Sequence, residues 1–570
     1  MKNIFKFLFA FGVSGLMFSS CGDSYLETPV QGAVSSDVLA ADENGVNASL
    51  ISVYKMLNGY NGQGNPWGAA PSNYTFNYAS DDAHKGSELS DGANFQQNSL
   101  YKWDPGLSQY QEKFSAIYEG VRRSNNTIQL ANRYKEAGGS ATFVDRITGE
   151  ALFLRAWYHF DGYKIFVNIP YYNEEDADFR KKNDVPVLPL IIADLEKAVT
   201  LLPDVRSQVG RSDKAVARAL LGKAKLFAKD YAGAKAAFDA VVATNRFELA
   251  PCYLDNFNIA TQNNKESLFA HQASVNDGDG NGSNTNYLER LGAPHNDSHT
   301  GCCGFNQPTQ DLVNAFQVDA NGLPVANWNA NRLTVNATTP VDPRLDFTAG
   351  RTGVPYLDWG LHKDSWIRGS GWAGMYSTRK NMKLTSDAAG PGWTTNQLHA
   401  KNVEFIRYAD VLLMLAECEV EIGSLERARE LVNMIRDRAD NCAQGPVGGP
   451  LVLTDIKDAR ITWANYEVKP YTAAWSDKAA ARDAVRRERR LELAFEGHRL
   501  FDLRRWGTLE PTINAYRAYE TKLTNMVNGV EVRIAELDGA DAPAAKHYAF
   551  PLPSVQIDLA GGNLTQNTGF

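Results

Sequence analysis

Flat aromatic rings set in polar loops are the chemistry this sequence offers most plainly. Two stretches, 58–108 and 251–400, are rich in Gly, Asn, Asp, Trp and Tyr and carry little periodicity. Irregular segments this long usually do functional work, because a mere connection needs few residues. Trp67, Trp328, Trp359, Trp366, Trp372 and Trp393 are among the tryptophans that fall inside them. Sugar rings present apolar C–H faces that stack on flat rings, while Asn, Asp and Arg side chains take the hydroxyls. Trp67, Tyr74, Trp359, Trp366, Trp372 and Tyr376 are therefore candidate stacking residues, and Arg368 a candidate donor of paired hydrogen bonds. The competing expectation is that such rings plug gaps between loops and scaffold; at least a few of the set should reach the surface.

Other constellations are thinner. Asp277, Asp279 and Asn281, with Gly282 at the turn, space three oxygen ligands as a calcium loop does. The closing acid would fall at Leu288, and Glu289 comes one residue late, so a solvated loop is the default and a structural calcium ion the sharper alternative. Apart from Cys21, the cysteines are Cys252, Cys302, Cys303, Cys418 and Cys442, without metal-binding spacing. The adjacent Cys302 and Cys303 are open to a vicinal disulfide, to two buried thiols, or to pairing elsewhere. Gly369, Gly371 and Gly374 match a dinucleotide fingerprint on paper, but no apolar strand precedes them and no amphipathic helix follows, so the match is accidental. Gly-x-Ser-x-Gly, His-Glu-x-x-His and phosphate-loop patterns are absent, which weakens an enzymatic reading and predicts no required cofactor. A pair of glycosidase carboxylates would leave no spacing signature, so hydrolysis is not closed off.

Periodic segments must position these loops. Ala215 to Val242 reads as a tetratricopeptide-like helical pair, with Leu221, Gly222, Tyr231, Ala234 and Phe238 at the diagnostic offsets. The small residues let two helices approach closely while the aromatics fill the groove between them. A second helical pair is expected from Val403 to Ala439, turning at Gly423. Further helices are expected at Gln111–Tyr134, Asp145–Phe166, Leu188–Leu202 and Lys478–Arg505, with Pro170 and Pro203 as stops. In the segment from Arg486 to Arg499, Glu488, Glu492 and Glu496 recur one helical turn apart among arginines, which predicts ion pairing rather than a nucleic-acid patch. The fold class is mainly α, with minor β: a helical scaffold over about 111–250 and 401–510, and loop-rich binding regions in between.

The first 20 residues look disposable. Lys2 and Lys6 precede an apolar run from Ile4 to Phe18, then Ser19 and Ser20, which is an export signal too short to span a bilayer. Cys21 at the first mature position is similar to a bacterial lipobox, with Phe18 departing from the preferred Leu, Val or Ile. Acylation there would hold a water-soluble body on a membrane surface. Removal of the two signal lysines takes the net charge from −8 to −10, which argues against nucleic acid as a partner.

Taken together, these segments resemble the SusD/RagB family of outer-membrane nutrient-binding lipoproteins. The resemblance rests on Cys21 to Glu27, on Gly149 to Tyr158 running on to Ile169-Pro170, and on Ile406 to Met414. It also rests on the arginine-rich helix ending at Trp506, on Phe550 to Pro553 and on the terminal Gln566 to Phe570. It spans nearly the whole of 21–570 and implies one helical body with a loop-built binding face and no enzyme activity. It also implies a cell-surface position and a SusC-like TonB-dependent barrel as partner, with an oligosaccharide as cargo. Asp81 and Asp82 stand where the family often has acidic residues near its site, and a Cys302–Cys303 bridge would offer an apolar bump for a ring. A peptide receptor of the RagB kind is the alternative, disfavoured by the tryptophan-rich loops.

Overall fold

A computed structural model describes residues 36–60, 66–280, 282–390 and 396–570. The proposed signal peptide and Cys21, the loop residue Asn281 and the loop residue Trp393 lie outside the described residues. The body is mainly helical, and its strands form small two-stranded sheets. Among the described residues no helix is long and apolar enough to cross a membrane.

The helices that matter are α1 (Glu43–Lys55), α2 (Ser108–Glu136), α3 (Ala141–Phe166), α4 (Val187–Leu201), α5 (Lys214–Phe227) and α6 (Tyr231–Val242). From α2 to α6 each packs on the next. The chain then leaves this stack and rejoins it at α7 (Tyr408–Ile422), which packs directly on α6 and is followed by α8 (Leu425–Ala439) and α9 (Lys478–Leu493). The loop-rich stretch is thus one long excursion between two neighbours of a helical stack. Close approach is built in by sequence: a Cβ on Gly222 would stand 2.5 Å from the Phe238 ring, and one on Gly120 would stand 2.6 Å from Tyr158. Asp213 and Asp230 cap α5 and α6 by accepting from backbone N–H groups in the first turn.

Two expectations are corrected. The segment Val403–Arg407 is not helical but a strand, β4; it pairs antiparallel with β2 (Ser267–His271), while β1 (Ala83–Gly86) pairs with β3 (Phe305–Pro308). The β2–β4 pair joins the two ends of the excursion at a neck, where Phe269 and Phe405 pack beside Trp157. The expected helix over Lys478–Arg505 is two helices, α9 and α10 (Arg499–Trp506), followed by α11 (Leu509–Glu520). The break comes at Phe495 and Gly497, with φ of 66° and 76°. A Cβ on Gly497 would lie 1.9 Å from the Ser72 carbonyl, so only glycine fits.

The ion pairs expected of α9 are present and buried. Arg344, on the excursion, meets Asp342 at 2.7 Å, Glu488 at 2.7 Å and Glu492 at 2.8 Å. Glu488 also pairs with Arg436 (2.9 Å), and Glu492 with Arg407 (2.5 Å) and Arg438. Charge taken out of water at this depth stands only when every member is partnered, so the network locks excursion, stack and α9 into one arrangement. A Cys252–Cys442 disulfide reinforces that join, Cys302 and Cys303 form a vicinal disulfide, and Cys418 is a buried free thiol.

Candidate functional site: a loop-built cleft beside Trp359

The excursion holds an open cleft of about 840 Å³ between the 297–299 loop, the 352–366 segment and Thr385. Trp359 sits at the tip of a tight turn. Pro355 and Leu361 bridge its base, and the Tyr356 N–H donates to the Gly360 carbonyl at 2.9 Å. Gly360 has φ 104°, a conformation that favours glycine. The half-buried Trp359 ring is held by its Nε1–H donating to the Lys383 carbonyl at 3.0 Å. It is braced by Tyr356 at 5.0 Å, His299 at 5.2 Å and, edge-on, Trp366 at 5.8 Å between ring centroids. Leu361, 51 % exposed, adds apolar surface to the same wall. Tyr356 and Trp366 belong to a satellite hydrophobic cluster that also contains Cys252 and Cys442.

Polar groups ring this apolar ledge. Asp297 accepts from Ser365 Oγ at 2.6 Å and pairs with Lys363 at 3.0 Å, while Thr352 Oγ1 donates to Asp364 at 2.6 Å. His362 hydrogen-bonds Ser377 Oγ at 3.0 Å, and burial pushes its pKa down to about 3. Burial, and then the Lys383 ammonium 3.3 Å away, lower the His299 pKa as well. Both imidazoles are therefore neutral at physiological pH, and the acids at the rim have cationic or hydroxyl partners. The cleft is matched to an uncharged, hydroxylated ligand with an apolar face.

Of the sequence candidates, the structure brings Trp359 and Trp366 together here, although Trp366 is only 3 % exposed and serves as the base under Trp359. The vicinal pair begins three residues beyond His299. Cys302 is half-buried, Cys303 is buried, and Gln397 Nε2–H donates to the Cys302 carbonyl at 2.5 Å. Arg368 is committed to Glu88 and Asp91 at 2.7 and 2.6 Å. Trp372 is half-buried beneath Lys85, whose ammonium lies 4.7 Å from the ring, and Trp67 is half-buried under Arg290.

Four further candidates are interior. Tyr74 is buried with its hydroxyl donating to the Leu288 carbonyl, and Tyr376 is buried with its hydroxyl donating to Gln310 Oε1 at 2.7 Å. Asp81 is held by Arg499 through two 2.8 Å hydrogen bonds, and Asp82 by Arg490 at 2.8 Å. Burial pushes the Asp81 carboxyl up, but Arg490 and Arg499 outweigh it and hold it well below the usual range. These acids fasten α9 and α10 to the loops; they face no cleft lined by Trp359. In the proposed calcium loop, Asp277 accepts from Asn284 at 2.9 Å and Asp279 from the Ser283 N–H at 2.6 Å. Glu289 instead accepts from Ser72. No group of three or more metal-ligating acids, histidines or cysteines occurs among the described residues. Sequence reasoning missed Tyr356, His299, Leu361 and His362; their closeness in sequence to Trp359 and to the cysteine pair was the available signal.

A model of the SusD family matches residues 265–570, more than half of the chain. The chain belongs to the SusD family. A second model, described as starch-binding associating with outer membrane, matches residues 36–226. Among curated relatives, the SusD-like protein P38 of Formosa agariphila is 24% identical over 377 residues, covering 62% of this chain and 65% of P38, just under two thirds of its length. A SusD homolog of Bacteroides thetaiotaomicron superposes with a TM-score of 0.69 at 19% identity, covering 94% of this chain and 99% of that one. Surface glycan-binding protein A of the same organism, solved with laminarihexaose, gives 0.64 at 18% identity over 92% and 99%. This SusD-family chain therefore shares the mainly helical SusD-like fold along most of its length.

Proposed function

We propose that this SusD-family protein is a cell-surface glycan receptor, anchored in the outer membrane through a lipid on Cys21, that passes oligosaccharide to a SusC-like TonB-dependent barrel. The observation that carries the reading is Trp359, a braced and half-exposed indole at the tip of a turn, overhanging a cleft whose histidines are neutral. The laminarihexaose bound by a neighbour of the same fold supports a sugar as cargo, and the outer-membrane wording of the N-terminal family model supports the location. The protein binds and releases its cargo without converting it.

A few stacked rings, each worth about 1 kcal/mol beyond buried area, give micromolar to millimolar affinity, suited to a carrier that must let go. Calorimetry against neutral and uronic-acid oligosaccharides tests the site. A neutral sugar binds, and Trp359→Ala weakens it by about tenfold or more, while peptides give no heat. Binding of peptides alone, or a Trp359→Ala variant that binds as tightly as the parent, refutes the proposal. For the anchor, Cys21→Ala should move the protein from the membrane fraction to the soluble fraction.

A further inference from the structure

A second cleft, of about 720 Å³, shares no lining residue with the first. Its walls are the exposed side of α2, the 170–179 loop that follows α3, and the short helix Ser554–Leu559 near the C-terminus. The walls are tied together: Asn563 Nδ2–H donates to the Arg180 carbonyl at 2.6 Å, and the Thr565 N–H donates to Asn183 Oδ1 at 2.9 Å. Three rings project into this frame. Tyr118 and Tyr172 meet edge-on at 5.6 Å, each with its hydroxyl committed to a backbone carbonyl, so their edges and faces are what remain to offer a ligand. Phe179 is 71 % exposed, an unusual place for a phenyl ring, with the Arg180 guanidinium 5.6 Å from its centroid.

The polar lining is amide-rich and electrically balanced. Glu119 is held by Arg122 and Arg123, Glu174 by Arg155, Asp176 by Lys181 and Asp178 by Arg180. By contrast, Asn126 has no side-chain partner among the described residues, and Asn125 and Asn173 use only their carbonyl oxygens, leaving their NH2 groups free. Flat rings beside free amide donors and acceptors, with no uncompensated charge, suit the apolar faces and hydroxyls of a neutral sugar. A charged ligand would find every counter-ion occupied.

We propose that this cleft is a second binding site for a neutral oligosaccharide, with Phe179 and Tyr172 as stacking platforms and Asn126 as a hydroxyl contact. The proposal rests on the carbohydrate reading above and adds a site on the scaffold rather than on the excursion. Two sites on one rigid body let a long glycan, or two chains, be held at once, which raises retention without tightening either site.

Calorimetry of the full-length mature protein against the neutral oligosaccharide panel tests it, with a polysaccharide affinity gel alongside. Two sites per molecule are expected; Trp359→Ala and Phe179→Ala each weaken one about tenfold and leave the other at parental affinity, and the double variant weakens both. Asn126→Ala should weaken the second site about tenfold without altering the first. A single site, weakened by Trp359→Ala and untouched by Phe179→Ala, overturns the second cleft and leaves the first intact. Binding lost in Phe179→Ala alone overturns the Trp359 site and keeps this one. No glycan bound by the parent protein overturns both. A Phe179→Ala variant that titrates sugar like the parent but no longer binds a barrel partner shows the cleft to be a protein contact, and also overturns the proposal.

Discussion

Removing the Cys252–Cys442 bridge, by replacing both residues with alanine, should destabilise the protein in a calculable way. The two cysteines are separated by 190 residues, a segment that contains the whole excursion and its cleft. Cross-linking a loop of that size withdraws conformational freedom from the unfolded chain worth about 5 kcal/mol in the chain-entropy model. Unfolding entropy of about 2 cal/mol/K per residue, over a chain of this length, comes to roughly 1.1 kcal/mol/K, so the melting temperature should fall by about 4–5 °C. Differential scanning calorimetry of the oxidised parent and the double variant measures this directly. Because the bridge shares a hydrophobic cluster with Tyr356 and Trp366, loosening should show first in the near-ultraviolet circular dichroism of those rings. A double variant melting within about 1 °C of the parent would refute the reasoning, since a link spanning so long a loop cannot be thermodynamically silent by this mechanism.

Other perturbations reach different parts of the frame. Glu492→Gln removes the carboxylate charge that faces Arg344, Arg407 and Arg438; breaking a buried pair of this kind costs about 3–5 kcal/mol, read as a lower urea midpoint. Glu404 is buried, with Ser267 donating to it, and burial raises its pKa from the usual 4.5 to about 8. A raised carboxylate contributes stability that is full below pH 4.5 and lost as pH rises to about 8. Glu404→Gln should therefore stabilise the protein increasingly across that window, by up to about 5 kcal/mol at its top, and change little at pH 4; equal effects at pH 4 and pH 8.5 would contradict it. Gly222→Ala forces a methyl to within 2.5 Å of the Phe238 ring, and the net cost should be about 1–2 kcal/mol after the helix-propensity gain. Adding Phe238→Leu should recover part of that loss in the same melting assay.

What could be read from the sequence was what is local. The α5–α6 pair, its Gly222 and Phe238 contact and the turn-spaced acids of α9 all follow from intervals of a few residues, and all are present. The strand Val403–Arg407 was hidden because its partner lies more than 130 residues earlier, so no periodicity within the segment announces it. Asp81 and Asp82 stand as candidates through the family resemblance alone; their arginines, Arg490 and Arg499, are some 400 residues away and only the fold brings them together. Tyr74 and Tyr376 sit in polar, loop-like sequence yet are interior, since a loop folded back on a scaffold has an inside of its own. The tip carrying Trp359 was legible as an aromatic in a Gly-rich run; its bracing by His299 and Lys383 required the tertiary contacts.

The turn between Pro355 and Leu361 is closed by its own main chain, through the bridge at its base and the Tyr356-to-Gly360 hydrogen bond. The crown it carries can therefore change identity while the feet stay planted. Descendants of such a gene could exchange one indole for another side chain, or lengthen the loop by a residue or two, without renegotiating the frame beneath.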